Sequence, residues 1–218
     1  DQHIGSIQAI LDQAGLVKAM STVHTTSPFG FGIIPDPADT TRYAMFASQA
    51  GLGLPDRDYY LKDEERFANY RTDYRNYIVT LLNLASVSDA EMKADNILAL
   101  EKQLAEVHWT RAESRDIQKI YNPMSPEQLA ELAPEFDWKG ALANLGLSEM
   151  DTIVVAQPSA LQASAKIFTE TSVQAWKDYL IFHFINDHAT YLSEDFDNAR
   201  FEFYSKTLRG VEAQRDRW

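Results

Sequence analysis

The sequence predicts a mainly α-helical fold carrying one small antiparallel sheet. Three observations lead there. Apolar residues recur at three- and four-residue intervals over most of the chain, the spacing of a one-sided helix. Several of these runs open on Ser or Thr followed three residues later by Glu or Gln, the pattern of a helix N-terminus. Strand character is confined to two segments: an aromatic and glycine-rich stretch at about 30–50, read as a hairpin, and a short β-branched run at 152–157.

In chain order, residues 4–23 place Ile7, Ile10, Leu11, Leu16, Val17 and Met20 at helical spacing, with Gly15 expected to split them into two short helices. The hairpin follows, with Phe29, Phe31, Ile33 and Ile34 around two glycines. The turn formers of residues 35–41 suggest a connection too long for a tight turn. After a passage at residues 51–61, residues 63–84 carry Phe67, Tyr70, Tyr74, Tyr77, Ile78, Leu81 and Leu82 on one stripe. Ser88 with Glu91 opens a second long helix to about Val107, with Met92, Ile97, Leu100, Leu104 and Val107 facing inward. The short link between the two predicts an antiparallel pair.

Ser125, Pro126 and Gln128 start a short helix, and residues 138–145 form another that ends at Gly146. The strand at 152–157 is expected to join the hairpin. Ser159 with Gln162 and Thr171 with Gln174 open the last helices, the longest reaching about Leu208 with room for a break near Leu192 and Ser193. The absence of repeats, low-complexity tracts and linkers predicts one domain over residues 1–218. The chain begins without Met and ends on Trp218 without a stop pattern, as expected of a piece of a longer protein.

Composition narrows the function. Hydrophobic residues make up 45% and charged residues 24%, values of an ordinary globular chain. With 32 acidic against 20 basic residues the net charge is −12, which argues against a phosphate-binding surface, so nucleic acid is not an expected partner. There is no cysteine, hence no disulfide, thiolate nucleophile or Cys-based zinc site. No apolar run approaches the roughly 18–20 residues that span a bilayer.

The chemistry-bearing residues are sparse. The five histidines, His3, His24, His108, His183 and His188, include no pair three or four residues apart, so the HExxH arrangement of a zinc peptidase is absent. His183 and Asp187 could share a helix face, as a partial metal site or in ordinary packing. His108 and Trp109, followed by Arg111, Glu113, Arg115 and Asp116, read either as a charged site or as a helix C-terminus favoured by cations with a solvated loop after it. Asp56, Arg57 and Asp58 read as an acid/base cluster or as groups that tie down a turn, with Arg57 able to fork onto a neighbouring carboxylate. There is no nucleophile elbow and no phosphate loop. The aromatic stripes read as core or as the lining of a ligand cavity. No catalytic, cofactor or metal residue is expected in this chain.

The most informative stretch is residues 51–61, GLGLPDRDYYL. Gly51 and Gly53 allow positive φ or close backbone approach, and Pro55 stops any helix and keeps Leu54 extended. Arg57, Asp58, Tyr59 and Tyr60 complete a block too specific for a generic turn. It resembles the signature that precedes the catalytic part of the M13 zinc metallopeptidases, the family of neprilysin and endothelin-converting enzyme. The likeness extends to SPFGFGIIPD, to YNPMS at residues 121–125, to TIVVAQPSAL, to WKDYLIFHFI and to the closing RFEFYSKTLRGVEAQRDRW, in the family's order. Ile117 stands where the family usually has proline.

The resemblance implies a helical lid lobe that walls the chamber of a peptide-hydrolysing enzyme and restricts substrate size. Zinc, HExxH, the downstream ExxxD motif and the Asn-Ala substrate motif would lie in a catalytic lobe of the same parent chain, which is the implied partner, with peptides as substrates. The residues Gly51, Leu52, Gly53, Leu54, Pro55, Arg57, Asp58, Tyr59 and Tyr60 are carried over as structural markers only. The alternative is a free-standing helical binding module or degenerate homologue without peptidase activity. Lack of cysteine fits a bacterial-type member, which points to the periplasm.

Overall fold

The computed structural model describes residues 2–22 and 25–214. Val23, His24 and the chain end at Trp218, all used in the sequence reading, lie outside the described residues. The fold is mainly α, as the periodicity predicts, with one four-stranded sheet.

Helices α1 (Gln2–Gln8) and α2 (Gln13–Met20) are separated at residues 9–12, not at Gly15. The Asp12 side chain accepts from the Gly15 N–H at 2.8 Å, so it caps α2 and puts Gly15 inside the first turn. Strands β1 (Phe29–Asp36) and β2 (Asp39–Gln49) pair antiparallel with Phe29 opposite Gln49. Their connection is tighter than the turn formers suggest. Asp36 Oδ1 accepts from the Ala38 N–H at 2.9 Å, and Arg42 closes on Asp36 Oδ2 at 2.9 Å, so the proline-rich segment is strand almost to its tip.

The chain then runs through α3 (Asp58–Leu61) into α4 (Glu65–Leu84) and α5 (Ala90–Val107), which pack together as expected. The Ser88–Glu91 capping box does not form. Ser86 and Asp89 are both left-handed (φ 56° and 57°), which reverses the chain so sharply that α5 starts at Ala90. Met92 is 57% exposed, because its five-residue step to Ile97 puts it off the stripe, while Ala94, Ile97, Leu100 and Leu104 are buried.

After α6 (Ile117–Ile120), strand β3 (Asn122–Met124), α7 (Pro126–Leu132) and α8 (Trp138–Asn144) comes β4 (Ile153–Val155). The Ser125–Gln128 capping box is complete, and Gly146 leaves α8 with φ 74°. The strand order is β1-β2-β4-β3. Strand β4 joins β2 in parallel, Phe46 opposite Val154, so the sheet is mixed and not antiparallel throughout. The connection explains this: only hairpin-linked strands must run antiparallel, and β4 returns after a long helical crossover. Strand β3, absent from the sequence reading, covers the far edge of β4 and tolerates Pro123 because it is itself an edge.

Helix α9 (Pro158–Glu170) opens on its proline; Ser159 does not cap it, because its Oγ accepts from Trp109 Nε1 at 2.7 Å. Helix α10 (Val173–His188) is capped one residue later than expected, by Ser172 Oγ on the Ala175 N–H. The final region breaks at a 3₁₀ turn, Ala189–Tyr191, near the expected place, and resumes as α11 (Glu194–Arg200). A π-helical segment, Phe201–Thr207, follows, and Gly210 exits with φ 71°.

Most buried side chains belong to one large cluster between the sheet and the helices. Phe29, Phe136 and Trp138 meet at ring distances of 4.4–4.9 Å, and Phe136 reaches Phe168 at 5.1 Å. Tyr74 and Tyr77 stack on Phe203 at 5.4 and 5.0 Å, which fastens α4 to the π segment. Most of the aromatic stripe residues, Phe67, Tyr74, Tyr77, Trp176, Tyr179 and Phe203 among them, are therefore core, whereas Tyr191 is exposed and Phe201 and Tyr204 line a pocket.

Candidate functional site

The block at residues 51–61 lies where β2, α4, α5, α10 and the π segment converge, and its shape is set by groups far from it in sequence. Glu101 of α5 is 0% exposed. Its Oε2 accepts from Tyr60 Oη at 2.5 Å and from the Gly53 N–H at 3.2 Å. Its Oε1 accepts from Tyr74 Oη at 3.0 Å and meets His183 Nε2 at 2.7 Å. Four donors fill the acceptor positions of an ionised carboxylate, and because such a carboxylate only accepts, Nε2 carries the hydrogen of His183. A fully paired buried charge of this kind is costly to disturb from either side.

The tyrosines extend the network. Tyr60 Oη also accepts from the Leu54 N–H at 2.8 Å. Tyr179 Oη donates to the Gly51 carbonyl at 2.7 Å, and Tyr204 Oη to that of Gly53 at 2.9 Å. Burial pushes the phenols of Tyr60 and Tyr74 well above their ordinary range, with the Glu101 charge acting in the same direction. Tyr179 is raised for the same reasons. These hydroxyls are fixed donors at any physiological pH.

Both glycines are required by proximity. Gly51 has φ 92°, and a Cβ there would lie 2.7 Å from Tyr179 Oη. At Gly53 a Cβ would fall 1.7 Å from Tyr74 Oη. Leu54 is buried and Pro55 exposed, while Leu52 lines a neighbouring pocket.

Arg57 does not fork onto Asp56 or Asp58. Its Nε donates to the Ala105 carbonyl at 3.2 Å and its Nη2 to that of Glu106 at 3.4 Å, which satisfies the open C-terminus of α5. Asp56 Oδ1 accepts from the Asp58 N–H at 2.8 Å and its Oδ2 pairs with Arg111 at 2.8 Å; Asp58 pairs with Lys62 at 3.1 Å. Tyr59 packs edge-on against Phe67 at 5.3 Å. Asp56, Arg57 and Asp58 thus tie down a turn.

The other sequence candidates separate. His183 turns to Glu101, whereas Asp187 Oδ2 accepts from Thr26 Oγ1 at 2.6 Å, so the two do not form a metal pair. His108 is not a cation at a helix end. It is 7% exposed, and burial pushes its pKa down to about 4, so it is neutral at pH 7 and Arg57 supplies the positive charge instead. Trp109 is held through its backbone: its N–H donates to Gln49 Oε1 at 2.7 Å and its carbonyl accepts from Gln49 Nε2 at 3.1 Å. Among the described residues no group of three or more His, Cys, Asp or Glu is arranged to hold a metal, so the donor set does not fit zinc. No described helix is long and apolar enough to cross a membrane.

Glu101 escaped the sequence reading. The available signal was its position, four residues after Ile97 and three before Leu104, on the stripe that α5 buries.

A mainly helical fold whose sharpest local motif is a buried structural joint, with no metal-binding group of three among the described residues, is the class that fold and site define. The sequence matches the profile of Peptidase family M13 over residues 2–218, and the chain belongs to that family. It is 27% identical to mouse endothelin-converting enzyme-like 1 over 89% of this chain and 26% of that protein. To neprilysin-11 of Caenorhabditis elegans it is 26% identical, over 87% of this chain and 24% of the relative. The crystal structure of the Mycobacterium tuberculosis zinc metalloprotease Zmp1 in complex with an inhibitor superposes with a TM-score of 0.91 at 30% identity, covering 99% of this chain and 34% of that one. The chain thus spans about a quarter of the curated relatives and a third of the solved structure.

Proposed function

We infer that residues 1–218 act as one unit of the non-catalytic lobe of an M13 zinc metalloendopeptidase, walling the chamber and limiting which substrates reach the metal. The supporting observation is the near-complete structural agreement with one third of a zinc metalloprotease, in a chain whose own described residues offer no metal-binding group. Zinc, the activated water and the acid/base group then belong to the catalytic lobe of the parent, and the chemistry there is peptide hydrolysis in an extracytoplasmic setting. The contribution of this chain is mechanical. The Glu101 knot makes the joint between sheet and helices rigid, and a rigid wall is what size exclusion needs.

The test has two arms. The 218-residue chain with added zinc should leave a quenched peptide intact, and the full-length protein should cleave that peptide while sparing a stably folded protein. Zinc-dependent cleavage by the chain alone, or digestion of the folded protein as fast as the peptide, overturns the reading.

A further inference from the structure

The sheet ends on β3, with Pro123 at its centre, on one side and on β1 on the other. Register decides which main-chain groups of β1 turn away from β2. The Ala50 N–H donates to the Pro28 carbonyl at 3.1 Å, and Phe29 stands opposite Gln49, so the hydrogen-bonded pairs that follow are Gly30 with Ser48, Gly32 with Phe46 and Ile34 with Ala44. The partner strand agrees: the Ala47 carbonyl, which this alternation turns away from β1, accepts from the Ala156 N–H at 2.8 Å. Phe29, Phe31 and Ile33 therefore direct their main-chain groups to the outer side. The Phe29 N–H is taken by Ser27 Oγ at 3.2 Å. The N–H groups of Phe31 and Ile33 and the carbonyls of Phe29, Phe31 and Ile33 have no hydrogen-bond partner among the described residues.

Sheet edges are normally guarded by charged side chains, proline or a bulge, because unpaired groups in ladder order template another strand. Here residues 29–34, FGFGII, carry no charge, and the guard comes only at Pro35 and the irregular step between Pro35 and Asp36. On one face of the strand, Gly32 has nothing within 4 Å of where a Cβ would stand. On the other, Ile33 and Tyr43 lie diagonally across the hairpin, 60% and 73% exposed, and form an apolar ledge. Donors and acceptors that alternate along an uncharged extended chain are matched by one chemistry, another extended main chain. We propose that the open edge of β1 captures extended peptides as an added strand, held by the main-chain groups of Phe29, Phe31 and Ile33, with apolar side chains resting on Ile33. The site deepens the peptidase reading and rests on it: the lobe gains a direct hold on the substrate class, made through backbone and so with little regard to sequence. About five residues a side is far below the roughly 20–30 of a stable interface between subunits, so the edge suits a ligand held briefly and released, and not a second copy of the chain.

The probe is the blocked, neutral peptide acetyl-Ser-Val-Thr-Val-Ser-amide, titrated into the 218-residue chain and read by amide hydrogen exchange and chemical shifts. Without peptide, Gly30 and Gly32 should exchange slowly and Phe31 and Ile33 fast. Saturating peptide should slow Phe31 and Ile33 by at least about tenfold and leave the helix amides unchanged. N-methylation of the inner residues of the peptide should weaken binding about tenfold or more. Ile33→Pro, which deletes one outward N–H and spares the bonds to β2, should weaken it similarly, while Ile33→Ala keeps that donor and most of the binding. Should circular dichroism show that Ile33→Pro does not fold, the N-methylated peptide carries the test on the unaltered chain. Absence of binding at millimolar peptide, equal binding of the N-methylated form, or binding that leaves Phe31 and Ile33 unchanged overturns the proposal. So does slow exchange at those two amides without peptide: if it grows with the concentration of the chain, a second copy holds the edge, and if it arises only in the full-length protein, another part of the parent holds it. None of these outcomes bears on size exclusion, which is read from cleavage by the full-length protein.

Discussion

Replacing Gly53 by Ala tests whether the joint is as tight as its geometry states. Gly53 has no positive φ, so Ala meets no backbone objection. The whole effect is steric: the added Cβ would sit 1.7 Å from Tyr74 Oη and 2.6 Å from Cζ. Tyr74 cannot step aside, being fully buried against Phe182 and Phe203. Overpacking of this kind costs about 1–3 kcal/mol. Displacing the Tyr74 hydroxyl also removes a hydrogen bond to a charged group, about 1.5–3 kcal/mol more. The sum, about 2.5–6 kcal/mol, corresponds at its middle to a fall of roughly 10 °C in Tm for a chain of this size. Urea and thermal unfolding followed by circular dichroism give both numbers. The companion variant is Tyr74→Phe, which deletes the atom that collides. In the double variant the two costs should fall short of their sum by at least about 1 kcal/mol. A Gly53→Ala protein within about 0.5 kcal/mol of wild type, or strict additivity with Tyr74→Phe, refutes the reasoning.

Three further perturbations probe the same framework. Glu101→Gln keeps the shape but turns one oxygen into an amide NH2 group that faces donors, so unfolding in urea should reveal a loss of about 3–5 kcal/mol, well beyond an ordinary surface change. His108 has a folded pKa of about 4 against an ordinary 6.5, so below pH 6.5 the unfolded chain takes a proton that the folded chain refuses. Stability should therefore fall between pH 6.5 and 4 by up to about 3 kcal/mol, and a folded His108→Gln variant should lack that part of the slope. Arg57→Ala leaves the Ala105 and Glu106 carbonyls without their side-chain donor and should cost about 1–2 kcal/mol, with faster amide exchange confined to the last turn of α5. Uniform exchange along α5 would contradict that capping role.

The fold was legible where a local rule decides it. The α4 and α5 stripes, the Ser125 capping box and the glycine exit at Gly146 follow from spacing and turn chemistry within a few residues. Legibility failed where two local rules compete or where the partner is remote. At Ser88 a good capping sequence lost to a chain reversal that needs left-handed residues at Ser86 and Asp89. At Ser159 the hydroxyl found Trp109, fifty positions earlier in the chain. The parallel pairing of β4 depends on a crossover that no short window contains.

The joint itself shows the limit most clearly. Read locally, Asp56, Arg57 and Asp58 offer a self-contained charge cluster, the natural place to look for chemistry. In the structure Arg57 works on the end of α5, and Asp56 on Arg111. The carboxylate that organises the block is Glu101, 41 residues from Tyr60 and 82 from His183. A motif can therefore be highly specific without reacting with anything. Gly53 must lack a side chain because of Tyr74, Tyr60 must carry a hydroxyl because of both Glu101 and Leu54, and Gly51 must be left-handed beneath Tyr179. Each requirement comes from a different helix, and together they fix the string more tightly than any turn could. That tightness holds sheet and helices in one geometry.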